Sequence, residues 1–130
     1  TQREQKNIIA ILDYAPTENN SFIKLYTLGG AVGDTGENET VFFYRQAKYI
    51  MAISSSWEED SEAAISKNWV ARGFQYIKKL TFGSYVNFPY SKLRDYEREY
   101  FGGHVPELQG IKTKYDPDNV FSFPQSIRPL

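Results

Sequence analysis

The hydrophobic pattern of this chain changes its period from two residues to about 3.6, and this change limits the fold to strands packed against helices. Side chains along residues 21–28 alternate between two faces, which predicts a half-buried strand. A second β-prone stretch predicts a strand at 47–56, preceded by a short extended piece at 41–45. The clearest helix follows, with apolar residues at helical spacing: Trp69, Val70, Gly73, Phe74, Ile77 and Leu80. The sequence therefore predicts an α+β fold.

Shorter elements are expected around this centre. Residues 2–14 predict a weakly amphipathic helix, and residues 84–88 predict a short strand or extended segment. Pro89 and Pro106 each suit the first turn of a helix, so a helix is expected at each. The result is a small antiparallel sheet of about three to four strands, backed by helices on one face. A chain of 130 residues can bury one core, so a single domain is expected over 1–130.

Composition excludes several classes of function. A formal net charge of −1 gives no electrostatic reason to expect a nucleic-acid partner. No apolar run approaches the ~20 residues that span a bilayer, so no membrane association is expected. With no Cys and His104 as the only His, the chain offers neither a zinc site nor a nucleophilic triad, and no metal is expected. The absence of Cys leaves the cellular compartment open. A start at Thr1, without an initiator Met or a signal stretch, is typical of a processed or excised piece.

Aromatic residues make up 16% of the chain, and this abundance has two interpretations. Tyr and Trp fill small cores, and they also bind sugars and other ring-shaped ligands. Tyr85 and Asn87 stand two residues apart, so on a strand both side chains would face one ligand. A phenol has a pKa near 10 and needs a cationic or hydrogen-bonding environment to act as a base. Spacing alone favours a packing role for Tyr85.

An ordered set of short motifs runs through residues 22–130. Its members are Leu28-Gly29-Gly30, Phe42-Phe43-Tyr44-Arg45, Tyr85-Val86-Asn87, Tyr100-Phe101-Gly102-Gly103, Asp116-Pro117-Asp118-Asn119-Val120-Phe121 and Gln125-Ser126-Ile127. Each motif alone is weak. In this order and spacing the set resembles the berberine bridge enzyme-like family of FAD-linked oxidases, and the berberine-like segment would cover about 83–130.

The resemblance implies a substrate-domain fragment of an FAD-dependent oxidoreductase. In that family an amino-terminal domain, which would be this chain's main partner, holds most of the FAD. A second α+β domain covers the flavin, and this chain resembles the carboxyl-terminal part of that domain. The activity implied is oxidation of an alcohol or sugar by hydride transfer to the flavin. The 130-residue chain alone is expected to be inactive.

The resemblance also assigns roles to individual residues. Tyr85 would be the base that takes the substrate proton, and Asn87 and Asn119 would be the flavin-side residues. Small-molecule substrate contacts would come from three others: Tyr44, Arg45 and Met51.

Departures from the family pattern keep two alternatives open. Tyr44 stands where many relatives have His, and no acid or amide lies near Met51 to assist the base. One alternative is a non-catalytic, aromatic-rich ligand-binding or structural module derived from the family. The other is an unrelated α+β domain that dimerises through a sheet edge. Excision would also expose the apolar surface that faces the FAD domain, so the isolated domain is expected to be capable of forming a homo-oligomer.

Overall fold

The computed structural model describes residues 2–16 and 20–130, and the side chains of these residues except at positions 3 and 4. In chain order the elements are α1 (Gln2–Leu12), β1 (Asn20–Thr27), α2 (Ala31–Asp34), β2 (Tyr49–Ser56), α3 (Ala63–Ile77), α4 (Tyr96–Phe101) and α5 (Val105–Tyr115). Short 3₁₀ turns precede α3 and α5. The α+β class is confirmed. None of the helices described is long and apolar enough to cross a membrane.

The sheet has fewer strands than expected. Within the described residues β1 and β2 form one antiparallel pair, in which Ile23 lies opposite Ile53. Residues 42–44 belong to no strand, and turns follow them, in which Arg45 N donates to Phe43 O at 2.9 Å and Ala47 N donates to Tyr44 O at 3.2 Å. Residues 85–88 form another turn. The prediction of three to four strands was wrong because β-prone side chains do not prevent a local turn from satisfying the backbone.

The chain divides into two compact units. The first unit comprises Thr1–Thr27 and Tyr49–Phe82, and the second comprises Leu28–Lys48 and Gly83–Leu130. The sheet, α1 and α3 belong to the first unit. The motifs that carry Tyr85, Asn87 and Asn119 belong to the second.

In the first unit α3 contacts both β2 and α1. A Cβ added at Gly73 would overlap Ile53 and lie 3.3 Å from Ile11 Cγ2, so the glycine lets both neighbours approach the helix closely. Trp69 is 6% exposed, and its indole N–H donates to Ile11 O at 2.9 Å. That carbonyl lies in the last turn of α1, where backbone acceptors lack helical partners. This carbonyl also accepts from Tyr14 N at 3.3 Å, so the indole adds a second hydrogen bond there while it links α3 to the end of α1.

The second unit is built around α4 and α5. A helix expected from Pro89 begins only at Tyr96, since Asp95 has φ 50° and this left-handed conformation ends a right-handed helix. The helix expected at Pro106 is confirmed as α5. Buried Tyr100, on α4, donates from its hydroxyl to Gln125 Oε1 at 2.9 Å. The carboxyl-terminal segment is thus held against α4 by side-chain hydrogen bonds.

Candidate active site

Tyr85 and Asn87 meet in a turn. Phe88 N donates to Tyr85 O at 3.0 Å, which closes residues 85–88. Within this turn the Asn87 side-chain amide donates to Tyr85 Oη at 3.0 Å. Tyr85 is half-buried and Asn87 is exposed. The sequence predicted that both side chains would face one ligand from a strand, whereas here a turn brings them into contact with each other.

Two aromatic rings pack against the Tyr85 ring. Phe42 and Phe88 meet it edge to face, with centroids 6.1 Å and 5.3 Å away. The Arg45 guanidinium carbon lies 5.2 Å from the centroid of the Phe42 ring. Such edge-to-face pairs restrict the orientation of a ring as well as burying it. Sequence reasoning gave no role to Phe42, which lies within a quoted motif, or to Phe88, which directly follows Tyr85-Val86-Asn87.

Tyr44 directs its hydroxyl at the backbone of α4. Its Oη lies 2.8 Å from Glu99 O and 3.1 Å from Arg98 O, with the hydroxyl donating. Burial first, and the Glu99 carboxylate second, raise the pKa of Tyr44 above its ordinary value. The hydroxyl therefore stays protonated and acts as a donor.

Arg45 is held by α2 and by the loop that follows this helix. Its Nη1 donates to Val32 O at 3.5 Å, and its Nη2 donates to Thr40 Oγ1. Its Nε is buried and has no hydrogen-bond partner among the described residues. These bonds fix the guanidinium over the ring of Phe42, which in turn packs on Tyr85.

The segment after α5 is ordered by Asp116. One carboxylate oxygen accepts from Val120 N at 2.8 Å, and the other accepts from Phe121 N at 3.1 Å and from Lys112 Nζ. The Lys112 ammonium is the main cause of a lowered pKa of Asp116, and the two backbone donors lower it further. Asn119 has φ 52°, and its Oδ1 is buried without a partner in the described part of the chain.

Met51 lies on β2 in the first unit, half-buried and opposite Leu25. The second unit brings Tyr85 and Asn87 into direct contact and places Phe42 with Arg45 beside them. Tyr44 belongs to the same unit and bonds to the backbone of α4. Asn119 is not in contact with these residues through its described hydrogen bond, which its backbone N–H donates to Asp116 O at 3.0 Å.

Among the described residues, no group of three or more His, Asp or Glu side chains is arranged so that it could hold a metal ion. The chemistry of the site is that of a phenol, a carboxamide and a guanidinium among aromatic rings.

Comparison with known proteins identifies the family. Residues 84–128 match the family model described as "Berberine and berberine like". The whole chain is 36% identical to YgaK of Bacillus subtilis (strain 168), an uncharacterized FAD-linked oxidoreductase, over 29% of that protein's length. A chitooligosaccharide oxidase of Gibberella zeae is 31% identical over 112 residues, which are 76% of this chain and 22% of that protein.

Solved structures show the same fold. A glycopeptide hexose oxidase complexed with teicoplanin matches with a TM-score of 0.90 at 23% identity, covering 99% of this chain and 30% of that one. A chitooligosaccharide oxidase matches with a TM-score of 0.84 at 24% identity, covering all of this chain and 30% of that one. This chain therefore spans less than a third of the relatives it matches. With its berberine-like segment and its likeness to these enzymes, the chain belongs to the berberine bridge enzyme-like family of FAD-linked oxidases.

Proposed function

We propose that this chain supplies the substrate-side catalytic residues of an FAD-dependent oxidoreductase that oxidises an alcohol. The alcohol that we propose is a hydroxyl group of a sugar. The observation that carries the proposal is the hydrogen bond from Asn87 to Tyr85 Oη, inside a turn lined by Phe42 and Phe88. A positioned phenol beside aromatic surfaces combines a proton acceptor with rings on which a sugar can stack.

The residues on this chain fit a flavin partner in chemical type. Asn87 is exposed, and its second amide N–H and its Oδ1 have no partner among the described residues. A flavin ring edge offers both hydrogen-bond donors and acceptors, which a carboxamide matches. We propose that Asn87 and Asn119 lie on the flavin side and that an amino-terminal domain of the full-length protein, here called the parent, binds most of the FAD. When bound, FAD would accept the hydride released from the substrate carbon.

Tyr85 would take the other hydrogen. As the C–H bond of the alcohol carbon breaks, the hydroxyl O–H bond also breaks, and its proton passes to Oη of the Tyr85 phenolate. The Asn87 amide donates to that oxygen, so it stabilises the negative charge there before transfer and orients the remaining lone pair. The carbonyl product keeps the substrate oxygen, and the phenol leaves the cycle protonated until solvent restores it.

The names of relatives support a sugar as substrate. One relative is a chitooligosaccharide oxidase, and a structural neighbour is a glycopeptide hexose oxidase. We propose that Arg45 contacts the substrate from its place over Phe42. The substrate contact expected of Met51 stays a prediction.

The experiment measures flavin reduction in the parent. Mixed anaerobically with a panel of mono- and oligosaccharides, the unmodified parent is expected to bleach its flavin absorbance. Tyr85→Phe should slow this step by about 10²–10⁴-fold, the usual loss for a general base. Tyr115→Phe, which removes a hydroxyl on a side chain 74% exposed in the same unit, should leave the rate unchanged.

Equal rates for Tyr85→Phe and the unmodified parent would remove Tyr85 from the base role. If no sugar reduces the flavin while the isolated chain still binds sugars, the alternative of a non-catalytic binding module is favoured. That binding can be followed by the fluorescence of Trp57 and Trp69.

A further inference from the structure

The carboxyl end of α4 is capped by two groups from outside the helix. Glu99 O belongs to the last turn, whose carbonyls have no partners within the helix. It accepts from Ser84 N at 2.7 Å and from the Tyr44 hydroxyl at 2.8 Å. One carbonyl oxygen therefore joins the segment that precedes Tyr85 to the side chain of Tyr44.

The Ser84 side of this junction is bonded twice. Besides its backbone bond, Ser84 donates from its hydroxyl to Glu99 Oε2 at 3.3 Å. Ser84 is the residue directly before Tyr85, and the turn from Tyr85 to Phe88 follows at once. The two bonds to Glu99 thus hold Ser84 on α4, and Ser84 is the residue directly before the Tyr85 phenol.

Two glycines let aromatic rings lie directly on the backbone around this junction. Gly83 has φ 64°, and a Cβ there would overlap the Tyr44 ring. Gly102 has φ 54°, and a Cβ there would overlap the Phe43 ring. Phe43 and Tyr44 meet edge to face, with centroids 5.3 Å apart. The pair fills both gaps, one before Ser84 and one after α4.

The neighbour of this pair touches the catalytic ring itself. Phe42 precedes Phe43 and packs edge to face on Tyr85. A shift of the Phe42–Tyr44 segment would therefore move both the ring contact and the backbone anchor of Tyr85.

We propose that Tyr44 is a positioning residue for Tyr85: its ring on Gly83 and its hydroxyl on Glu99 O hold the Tyr85 turn against the end of α4. This inference rests on the proposed base role of Tyr85. It gives Tyr44 a task different from the substrate contact that the family resemblance implies. Burial raises the pKa of Tyr44 above its ordinary value, so its hydroxyl stays a donor to Glu99 O.

The test uses Tyr44→Phe, which keeps the ring on Gly83 and removes only the hydroxyl. In the parent, the rate of flavin reduction at saturating sugar should fall about tenfold, since a small misplacement of a catalytic group costs that much or more. The sugar concentration giving half that rate should change by less than about twofold, since substrate binding is not altered. In the flavin-free 130-residue chain, amide exchange at Ser84 and Phe88 should accelerate about tenfold.

The matched control is Tyr96→Phe. This variant removes another tyrosine hydroxyl of the second unit. That hydroxyl donates to Ser126 O at 3.0 Å, away from the Tyr85 turn. Its flavin reduction and its exchange at Ser84 should match those of the unmodified protein. If Tyr44→Phe does not fold, Gly83→Ala offers a second route, because it displaces the Tyr44 ring and keeps every hydroxyl.

Each outcome decides between the proposals. Identical behaviour of Tyr44→Phe and Tyr96→Phe would overturn the positioning role, and a rise in half-saturating sugar alone would make Tyr44 a substrate contact. If Tyr85→Phe has no effect on flavin reduction, the proposed function fails. Amide exchange at Ser84 would then still decide whether Tyr44 holds the turn.

Discussion

Replacing Trp69 with Phe tests how α1 is attached to the first unit. The indole N–H donates to Ile11 O at 2.9 Å, and the side chain is 6% exposed. Losing this hydrogen bond should cost about 1 kcal/mol. The missing part of the ring leaves a gap between α3 and α1, which should cost about another 1–2 kcal/mol. The total loss of unfolding free energy is about 2–3 kcal/mol, or roughly 10 °C in Tm for a chain of this size.

Circular dichroism and tryptophan fluorescence both measure this change during thermal unfolding. Trp57 and Trp69 lie in the first unit, so the fluorescence of the variant, from Trp57, reports that unit alone. Trp57→Phe is the control. Trp57 is half-buried, with Lys67 Nζ 5.3 Å from its ring centroid, and a Phe ring keeps that contact. We expect the control to lose less than about 1 kcal/mol.

A Tm of Trp69→Phe within about 2 °C of the unmodified chain would refute this reasoning. It would mean that neither the hydrogen bond to Ile11 O nor the indole packing contributes to the stability of the first unit.

Three further perturbations test the second unit. Tyr44→Phe should make the free energy of unfolding fall less steeply at alkaline pH. The raised pKa of Tyr44 stabilises the fold below the ordinary pKa of 10.0, and this contribution is lost as pH rises through the raised pKa. Urea unfolding at pH 8–11 measures this change. Asp116→Asn should act at the other end, since the lowered pKa of Asp116 stabilises the fold above 3.8 and this contribution is lost as pH falls through the lowered pKa. Unfolding midpoints at pH 2–6 should therefore fall less steeply in that variant, and equal slopes would contradict the Asp116 contacts. Asn87→Asp replaces an amide donor with a carboxylate beside Tyr85 Oη, so flavin reduction in the parent should slow by about tenfold or more. An unchanged rate would show that the donated hydrogen bond is not used.

Much of the fold could be predicted from local pattern. The strand expected at 47–56 is observed as Tyr49–Ser56, and the helix expected at Pro106 is observed as Val105–Tyr115. Both have a hydrophobic period or a terminal proline that acts within a few residues. The helix expected to begin at Pro89 begins only at Tyr96, because Asp95 adopts a left-handed conformation. Several residue types adopt this conformation, so the Asp alone does not predict it.

The sequence indicated which residues form the candidate site but not the contacts that hold them there. Spacing brought Tyr85 and Asn87 together for a reason that proved wrong, since a turn and not a strand joins them. The contact of Tyr44 with Glu99 joins residues 55 apart in sequence, and no local pattern predicts such a bond. The space that Gly83 leaves for the Tyr44 ring is equally non-local, and only the folded unit shows it.

The pairing of β1 with β2 has a consequence for edge protection. In the described residues each strand has a partner on one side, and a lone pair of strands is marginal unless other elements cover it. Natural sheets guard an open edge with charged side chains, prolines or bulges. These two strands carry a single charge between them, Lys24, and its ammonium lies 4.7 Å from the ring centroid of Tyr26. Phe22 and Leu25 on β1 are 45% and 56% exposed. The open edges of this pair are therefore available for pairing with a further strand.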